Sequence, residues 1–491
     1  MSATPGYVSK KTGVRWVPVI GLEVHCQLGT RTKLFCGCEV QFGSPPNSLT
    51  CAVCTAQPGT LPVLNREALE LAVRAALALG CEVRTKSKFD RKNYFYCDLP
   101  KGYQISQYDE PYCTGGGIQL SNGRFIRLTR IHMEEDAGKA IHDRGSTTLV
   151  DLNRAGVPLI ESVTEADVTT AAEAVEYLTT LKAILQYVGV SDCDMEKGEL
   201  RCDVNISMRP EGEPWRTKVE IKNLNSFRFV EAAIEHEAWR QIEAYESGDP
   251  KLFPVQETRL WDPARNVTRT MRSKESAHDY RYFAEPDLPP VTISKVEIER
   301  LRGCIPELPH ARRERYQKEL GLSAYDAGVL TASRALADFF EVVARLSQKP
   351  KDAANWIAND LAREFADATL GVPNVDAMAM KPNDLAELIR LVDEGAVNVA
   401  GARKVLRVLM KDGGRPKELV KTLGLEQVQD EGQLEAWCKE ALVGKEKIVA
   451  DVKAGKTQAL NALLGPVMKA SKGTANPERV KEILLRLVQG A

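Results

Sequence analysis

The sequence predicts an α+β protein, with an antiparallel β-rich first part containing inserted helices, then an all-α helical part and a small α-helical tail. Apolar and polar residues alternate along several segments of the first 290 residues, which is typical of strands with one buried face. After residue 295 the apolar residues recur instead at steps of three and four, as on one side of a helix. A chain of 491 residues has room for about three domains.

The composition is that of an ordinary folded protein. Hydrophobic residues make up 43% and charged residues 27%, which excludes a disordered or fibrous chain. The formal net charge is −1, so nucleic-acid binding would need a local basic patch. No apolar run approaches the roughly 20 residues of a membrane span, and the polar first sixteen residues do not resemble a secretory signal. We therefore predict a cytoplasmic protein with no membrane contact.

Two helices are predicted inside the β-rich part. The first begins after Asn65, a residue type that favours the N-cap, and ends at Gly80. The second extends from about Thr170 to Val188, with apolar residues at alternating steps of three and four. Both helices are expected to pack on a sheet.

Two breaks in the pattern predict the domain boundaries. The proline pair at 289–290 interrupts regular structure, and the glycine-rich stretch at 411–416 is a second candidate linker. They give domains at 1–290, 291–410 and 411–491. From Lys445 to the end there are nine Lys/Arg against four Asp/Glu, a local positive charge of the kind that contacts a nucleic-acid backbone. An ordinary solvated helical surface is the competing interpretation.

The predicted strands at 21–28, 201–207 and 218–223 carry unusual polar faces. Their outward residues include Glu23, His25, Asp203, Asn205, Glu220 and Lys222. A fourth strand ends in the acidic segment 132–139. Alternate strand residues share a face, so Glu23 and His25 are neighbours on one surface.

These polar faces have two interpretations. Carboxylates with a histidine suit Mg²⁺ or Mn²⁺, and Lys92, Lys218 and Lys222 would suit phosphates. The competing interpretation is the solvated face of an antiparallel sheet. Asp and Asn are depleted from strands, which weighs against that interpretation for the set as a whole.

Four cysteines at 36–54 predict a structural zinc knuckle. Cys36 and Cys38 form a CxC pair, and Cys51 and Cys54 form a CxxC pair after a turn-rich segment of twelve residues. Four thiolates complete a tetrahedral Zn²⁺ site, and the lack of a further polar ligand nearby indicates a structural role. A redox dithiol or plain buried thiols are the alternatives.

Common nucleotide and hydrolase motifs are absent from the sequence. We find no Walker A loop, no GxSxG and no protein-kinase signature. If the protein uses ATP, it does not belong to a common phosphate-loop class.

Five blocks, in order along nearly the whole chain, carry a family resemblance. They are VIGLEVH at 19–25, KFDRKNYFY at 88–96, HMEEDAGK at 132–139, EIKNLNSF at 220–227 and DYRYF at 279–283. With these blocks the chain resembles the B subunits of glutamyl-tRNA(Gln)/aspartyl-tRNA(Asn) amidotransferase. The resemblance implies a β-rich cradle domain, a helical domain and a tRNA-binding tail.

The resemblance also implies a reaction and its partners. ATP would phosphorylate the side-chain carboxylate of Glu-tRNA(Gln) or Asp-tRNA(Asn), and ammonia would then displace phosphate to give the amide. The ammonia would come from glutamine hydrolysis on the glutaminase (amidase) or A subunit and travel through an internal channel, with the small C subunit completing a heterotrimer. ATP, Mg²⁺ and a structural Zn²⁺ are the implied cofactors.

Site residues are carried over from the matching blocks. The implied catalytic residues are Glu23, His25, Lys92, Glu135 and Glu220. The implied Mg²⁺ ligands are Glu23, His25, Glu135, Asp203 and Glu220, and the residues near ATP are Lys92, Asp203 and Lys222. We therefore expect the side chains at 23, 25, 135 and 220 to converge on a single cation. The alternatives are a non-catalytic tRNA-binding scaffold with a structural zinc site and an ATP-using ligase for a free amino acid.

Overall fold

The computed structural model describes residues 6–141, 145, 147–273, 280–365, 373–428, 430–453, 457–471 and 473–490. The chain divides into two compact units, Met1–Leu308 and Pro309–Ala491. An α+β organisation results, with a large sheet in the first unit and helices in the second. The fold class predicted from the sequence is confirmed.

The described part of the first unit contains strands and four α-helices. The strands are β1 (Tyr7–Val8), β2 (Arg15–Gln27), β3 (Glu82–Val83), β4 (Lys86–Ser87), β5 (Asp90–Asn93), β6 (Tyr103–Ser106), β7 (Cys113–Thr114), β8 (Gly117–Gln119), β9 (Phe125–Glu135), β10 (Lys139–Ile141), β11 (Leu149–Asp151), β12 (Pro158–Thr164), β13 (Leu200–Pro210), β14 (Val219–Leu224), β15 (Glu257–Asp262), β16 (Val267–Ser273), β17 (Phe283–Ala284) and β18 (Val291–Thr292). The helices are α1 (Arg66–Ala78), α2 (Ala171–Tyr187), α3 (Phe227–Glu246) and α4 (Lys295–Gly303), with a 3₁₀ turn at Pro250–Leu252.

The main sheet is built around the long strand β2. Its order is β16-β15-β14-β13-β2-β12-β9-β7-β3, with β1 beside β2 and β8 beside β9. Neighbouring strands are antiparallel except β14 and β15, which are parallel. A smaller three-stranded sheet has the order β17-β5-β6. The strands with polar outer faces therefore lie side by side in the middle of one sheet.

One face of the main sheet is covered by helices. Leu22, Val24 and Cys26 on β2 are buried in the same core as the apolar faces of α1 and α2. The side chain of Asn65 accepts hydrogen bonds from the first turn of α1, and that of Thr170 does so for α2. Both predicted helices are confirmed, and the alternation predicted for β2 correctly separates its buried face from its polar face.

The first unit ends later than the proline pair at 289–290. Helix α4 follows that pair, yet Ile298 and Leu301 are buried in the core of the first unit. An ion pair between Arg66 of α1 and Glu297 of α4 also joins the two helices. The proline pair thus interrupts the secondary structure without ending the packed unit.

The second unit is helical in its described part. Its α-helices are α5 (Pro309–Leu320), α6 (Ala324–Leu330), α7 (Arg334–Ser347), α8 (Pro350–Asn355), α9 (Ala362–Phe365), α10 (Pro382–Asp393), α11 (Val399–Asp412), α12 (Pro416–Thr422), α13 (Glu431–Leu442), α14 (Glu446–Lys453), α15 (Asn461–Ala470) and α16 (Pro477–Gln489). A π-helical turn at Trp356–Leu361 joins α8 to α9, and 3₁₀ turns lie at Val375–Ala377 and Thr457–Leu460.

Two separate cores hold these helices. The first includes residues from Tyr316 to Leu425, and the second includes residues from Leu434 to Val488. Val420 and Leu425 pack in the first core, although they follow the linker predicted at 411–416. The packed tail therefore starts after residue 425. Within the described ranges, no helix combines the length and the apolar character that a membrane span requires.

A buried carboxylate on α3 supports the fold of the first unit. Glu237 is fully buried and accepts hydrogen bonds from Arg240 Nε at 2.9 Å, Gln241 Nε2 at 2.9 Å and Thr268 Oγ1 at 2.8 Å. Burial alone would raise the pKa of Glu237, but these donors and the Arg240 charge lower it. The ionised form is thus the form that the fold stabilises.

Replacing Glu237 by glutamine is expected to lower the free energy of unfolding at pH 7 by about 3 kcal/mol, because Arg240 loses its charged partner. Since the folded-state pKa is depressed, this stabilisation is present above the unfolded carboxyl pKa of about 4.3 and is lost as the pH falls through the lower folded value. The difference between variant and wild type should therefore shrink in acid. Denaturant titrations at pH 7 and in acid test this, with the exposed Glu243→Gln as control. An equal loss in both variants would contradict it.

Candidate metal and catalytic site

The register of the main sheet collects polar side chains on the face opposite the helices. In the strand pairs, His25 lies opposite Glu161, and Glu161 lies opposite His132. On the other side of β2, Glu23 lies opposite Asp203. Directly opposed residues of an antiparallel pair share a face and lie about 5 Å apart. Two groups of potential metal ligands result.

The first group, called the histidine cluster, contains His25, Glu134 and Glu161. One ligand atom from each lies within 4.8 Å of the others. The Nε2 atom of His25 is 3.2 Å from Glu161 Oε2 and 3.7 Å from Glu134 Oε1. Both carboxylates are buried, and Ser106 Oγ donates a hydrogen bond to Glu134 at 3.2 Å.

Electrostatics in the histidine cluster couple the imidazole to the carboxylates. Burial alone would lower the pKa of His25, but the hydrogen bond to Glu161 and the charges of Glu161 and Glu134 raise it to about 9. Burial would raise the pKa of Glu161, but the neighbouring histidines and Lys92 lower it. The two carboxylates therefore attract positive charge, which either a proton on His25 or a bound cation would supply.

The second group, called the acidic cluster, contains Glu23, Asp203 and Glu220. Their carboxylate oxygens also lie within 4.8 Å of one another. Lys222 donates a hydrogen bond to Asp203, and its Nζ is 3.2 Å from Glu220 Oε1. Burial and the neighbouring carboxylates raise the pKa of Glu23. A bound cation would relieve this repulsion.

Both groups fit a hard divalent cation. Mg²⁺ takes oxygen ligands at about 2.0–2.1 Å, so opposing ligands lie about 4.2 Å apart, within the separations found here. Glu23 and His25 are two residues apart on β2, a distance of about 7 Å along a strand. The two groups are therefore neighbours on one face of the sheet.

The structure corrects the placement of Glu135. Its carboxylate accepts hydrogen bonds from Lys101 and from the backbone N–H of Ile105 at 2.9 Å, and it lines a cavity of about 200 Å³ beside Cys54. Alternate residues of β9 face opposite sides, so Glu134 points to His25 and Glu135 points away. The expected single cation bound by residues 23, 25, 135 and 220 is thereby replaced by two three-residue groups.

The remaining predicted residues lie beside the two groups. Lys222 contacts the acidic cluster, as described above. The charges of Glu134 and Glu161 act on Lys92, and although burial alone would lower the pKa of Lys92, they contribute to raising it. Both lysines are therefore close enough to the carboxylates of the two groups to interact with their charge.

The predicted site residues did not include Glu134, Glu161 or Arg201. Arg201 lies opposite His25 and pairs with the buried Asp136 at 2.8 Å. The alternation from His132 would have selected Glu134 rather than Glu135, since residues two apart share a face. Glu161, a carboxylate directly after the apolar run at 157–160, was the second available signal.

The four cysteines at 36–54 come together in the structure. Their sulfur atoms lie within 4.8 Å of one another, with Cys38 Sγ 4.0 Å and Cys51 Sγ 3.9 Å from Cys54 Sγ. Zn–S bonds of about 2.3 Å place the sulfurs of a tetrahedron about 3.8 Å apart, so the geometry fits Zn²⁺.

A buried lysine contacts this cysteine cluster. Lys33 is fully buried and donates to Cys54 Sγ at 3.5 Å and to the carbonyl of Leu152 at 3.3 Å. The hydrogen bond from the Cys36 thiol, together with the Lys33 charge, lowers the pKa of Cys54 to about 4. A thiolate at this position is what a zinc ligand requires.

Comparison with known families covers most of the chain. The family model described as "GatB/GatE catalytic domain" matches residues 18–299, and the one described as "GatB domain" matches residues 338–488. The first match contains both groups on the sheet and the four cysteines, and the second contains the tail helices.

Relatives match over nearly their full length. A protein of Anaeromyxobacter dehalogenans is 52% identical over 478 residues, which cover 95% of this chain and 98% of the relative. Proteins of Persephonella marina and Caldicellulosiruptor saccharolyticus are each 50% identical, covering 96% and 95% of this chain and 99% and 98% of the relatives. All three are named as the B subunit of aspartyl/glutamyl-tRNA(Asn/Gln) amidotransferase. The chain belongs to this family of amidotransferase B subunits.

Proposed function

We propose that this chain activates and amidates the aminoacyl group within a glutamine-hydrolysing tRNA-dependent amidotransferase. Its substrates are Glu-tRNA(Gln), Asp-tRNA(Asn) or both, with ATP as phosphoryl donor. Family membership supports the overall role. One observation carries the chemical assignment: the histidine cluster and the acidic cluster lie on one face of the sheet, and each has a lysine nearby.

The proposed reaction joins a carboxylate to a polyanion. The side-chain carboxylate attacks the γ-phosphorus of ATP, ADP leaves, and an acyl phosphate forms. Ammonia then attacks the acyl carbon, phosphate leaves, and the nitrogen loses a proton to give the amide. The carboxylate and the triphosphate repel each other, so the site must supply positive charge.

Different side chains would bind the phosphates and hold the metal ions. Lys92 and Lys222 would contact phosphate oxygens, and the histidine and acidic clusters would each hold one Mg²⁺. Bound Mg²⁺ would screen the phosphate charge and hold the triphosphate in line for attack. Ser106 orients Glu134, and Asn205 donates to Glu23 at 2.8 Å, so both carboxylates are held in place.

The partner subunits in this proposal would supply the ammonia and complete the complex. The glutaminase or A subunit would release ammonia from glutamine, and the small C subunit would complete the complex. The four cysteines would hold a structural Zn²⁺ away from the reacting groups. Cys54 lies beside Glu135, on the side of β9 opposite the histidine cluster.

Reconstitution tests the proposal. The chain is co-produced with its partner subunits, and conversion of Glu-tRNA(Gln) and Asp-tRNA(Asn) is measured with ATP, Mg²⁺ and glutamine, each omitted in turn. Conversion should require all three. Absence of nucleotide binding would favour a scaffold, and ATP turnover without charged tRNA would favour a ligase for a free amino acid.

The basic tail is proposed to bind the tRNA backbone. Lys445 and Lys447 are exposed, and replacing both by alanine is expected to weaken tRNA binding and to reduce the slope of affinity against salt by about 1–2. Replacing the exposed Lys417 and Lys421, which belong to the preceding helical core region, should leave the slope unchanged.

Fluorescence anisotropy of labelled tRNA across a salt series measures this effect. A chain that ends at Val428 provides a second variant. It lacks the core formed by residues from Leu434 to Val488 but keeps Val420 and Leu425, which pack in the preceding helical core. An unaltered salt slope in both the double variant and the truncated chain would contradict a role of the tail in tRNA binding.

A further inference from the structure

A cluster of tyrosines lies in the segments that follow β5 and β6 and precede β17. Its members are Tyr94, Tyr96, Tyr108, Tyr280 and Tyr282, and we call it the tyrosine cluster. The rings of Tyr108 and Tyr282 are stacked, with centroids 4.1 Å apart and planes inclined by 7°. Tyr280 contacts the rings of Tyr282 and Tyr94 edge-on, each with centroids 6.0 Å apart.

Lys92 connects the tyrosine cluster to the histidine cluster. Its Nζ is 5.1 Å from the ring centroid of Tyr280 and 5.8 Å from that of Tyr94. On β6, Gln104 lies opposite Lys92 and donates to the carbonyl of Glu135, and Ser106, two residues further on, donates to Glu134 of the histidine cluster. The order along the face is therefore stacked rings, then a lysine, then the carboxylates of a candidate metal site.

The outer part of the tyrosine cluster is open to solvent. Tyr108 is 48% exposed and Tyr96 is 54% exposed. A ring that is half exposed contributes little to a core, so packing does not account for the Tyr108–Tyr282 stack. Flat aromatic faces beside positive charge are the features with which proteins bind single nucleobases and the phosphates attached to them.

We propose that the Tyr108–Tyr282 stack is an adenosine-binding platform, on which an adenine ring stacks while Lys92 and the adjacent clusters meet the charged end of the same substrate. This inference rests on the proposed function and deepens it, because both of its substrates carry an adenosine. One is ATP, and the other is tRNA, whose acceptor strand ends in an unpaired adenosine. Stacking recognises the base in either case, and the test separates the two sources.

The test uses the full chain with Mg²⁺ and two ligand series. In the first, ATP binding is measured by calorimetry for Tyr108→Ala and Tyr282→Ala, and each variant should bind about tenfold more weakly or worse than wild type. Tyr108→Trp, which keeps a flat ring, should retain the affinity. Phe283→Ala serves as matched control, since Phe283 follows Tyr282 but contacts Arg91 instead, and it should be neutral.

In the second series, tRNA with and without its terminal adenosine is compared. If the platform holds the tRNA end, the wild type should prefer the complete tRNA, and Tyr108→Ala should erase that preference. A loss in either series supports the platform and identifies the source of the adenosine. Unchanged binding in both series, for folded variants of a wild type that converts misacylated tRNA, would overturn the platform alone. A wild type without ATP-dependent conversion would instead overturn the proposed function.

Discussion

Replacing Glu161 by glutamine is expected to reduce the rate of amide formation on misacylated tRNA by about 100-fold to 1,000-fold. Glutamine keeps the size of the side chain but removes the charge that holds His25 at 3.2 Å and that would bind a cation. Glu161 lies between His25 and His132 in the strand register, and it is closer to both imidazoles than Glu134 is, so its loss removes the nearer of their two carboxylate partners. The measurement is the ATP- and glutamine-dependent conversion of Glu-tRNA(Gln) by the assembled complex.

A matched control lies just beyond the same strand. Glu165 is half-buried and accepts a hydrogen bond from Thr129 at 2.7 Å, away from both clusters, so Glu165→Gln should leave conversion near the wild-type rate. The tRNA affinity of Glu161→Gln should also stay near normal. Equal loss of activity in both variants, or loss of tRNA binding together with activity, would indicate a folding defect instead.

The dependence on Mg²⁺ separates Glu161 from Glu135. Partial substitution in the histidine cluster, such as Glu161→Asp, should raise the Mg²⁺ concentration needed for half-maximal ATP turnover. Glu135→Gln should leave that concentration unchanged, because the Glu135 carboxylate faces Lys101 on the other side of β9. A shift of equal size with Glu135→Gln would restore the single-cation arrangement expected from the sequence.

Removing a ligand of the cysteine cluster is expected to have the largest effect on stability. In Cys54→Ser, or after chelation, the free energy of unfolding of the first unit should fall by several kcal/mol, up to about 10 kcal/mol. The fully buried Lys33 would also lose its thiolate partner. Zinc content per chain, together with thermal unfolding before and after chelation, measures this effect.

Cys304→Ser is the control for this experiment, because Cys304 is exposed and lies outside the cysteine cluster. It should keep the zinc content and the unfolding temperature of the wild type. A wild-type protein that carries no zinc, and whose unfolding is unaffected by chelator, would contradict the structural zinc site.

Local sequence signals predicted much of the first unit. Asn65 and Thr170 both cap helices where their side chains satisfy free backbone N–H groups, an effect that depends on a few adjacent residues. The alternation on β2 likewise identified Glu23 and His25 as neighbours on a polar face. The end of the unit could not be predicted from local signals, because the contacts of α4 with α1 join segments that are far apart in the chain.

What the sequence by itself determined was which side of each strand is polar and which four cysteines belong together, because both follow from the spacing of residues within one segment. The tertiary structure decided which polar faces meet. Strand order and register bring Glu161 and Glu134 to His25, bring Asp203 and Glu220 to Glu23, and leave Glu135 with Lys101. The physical reason is that a period of two determines the direction of a side chain, whereas only hydrogen bonding between distant strands determines its neighbours.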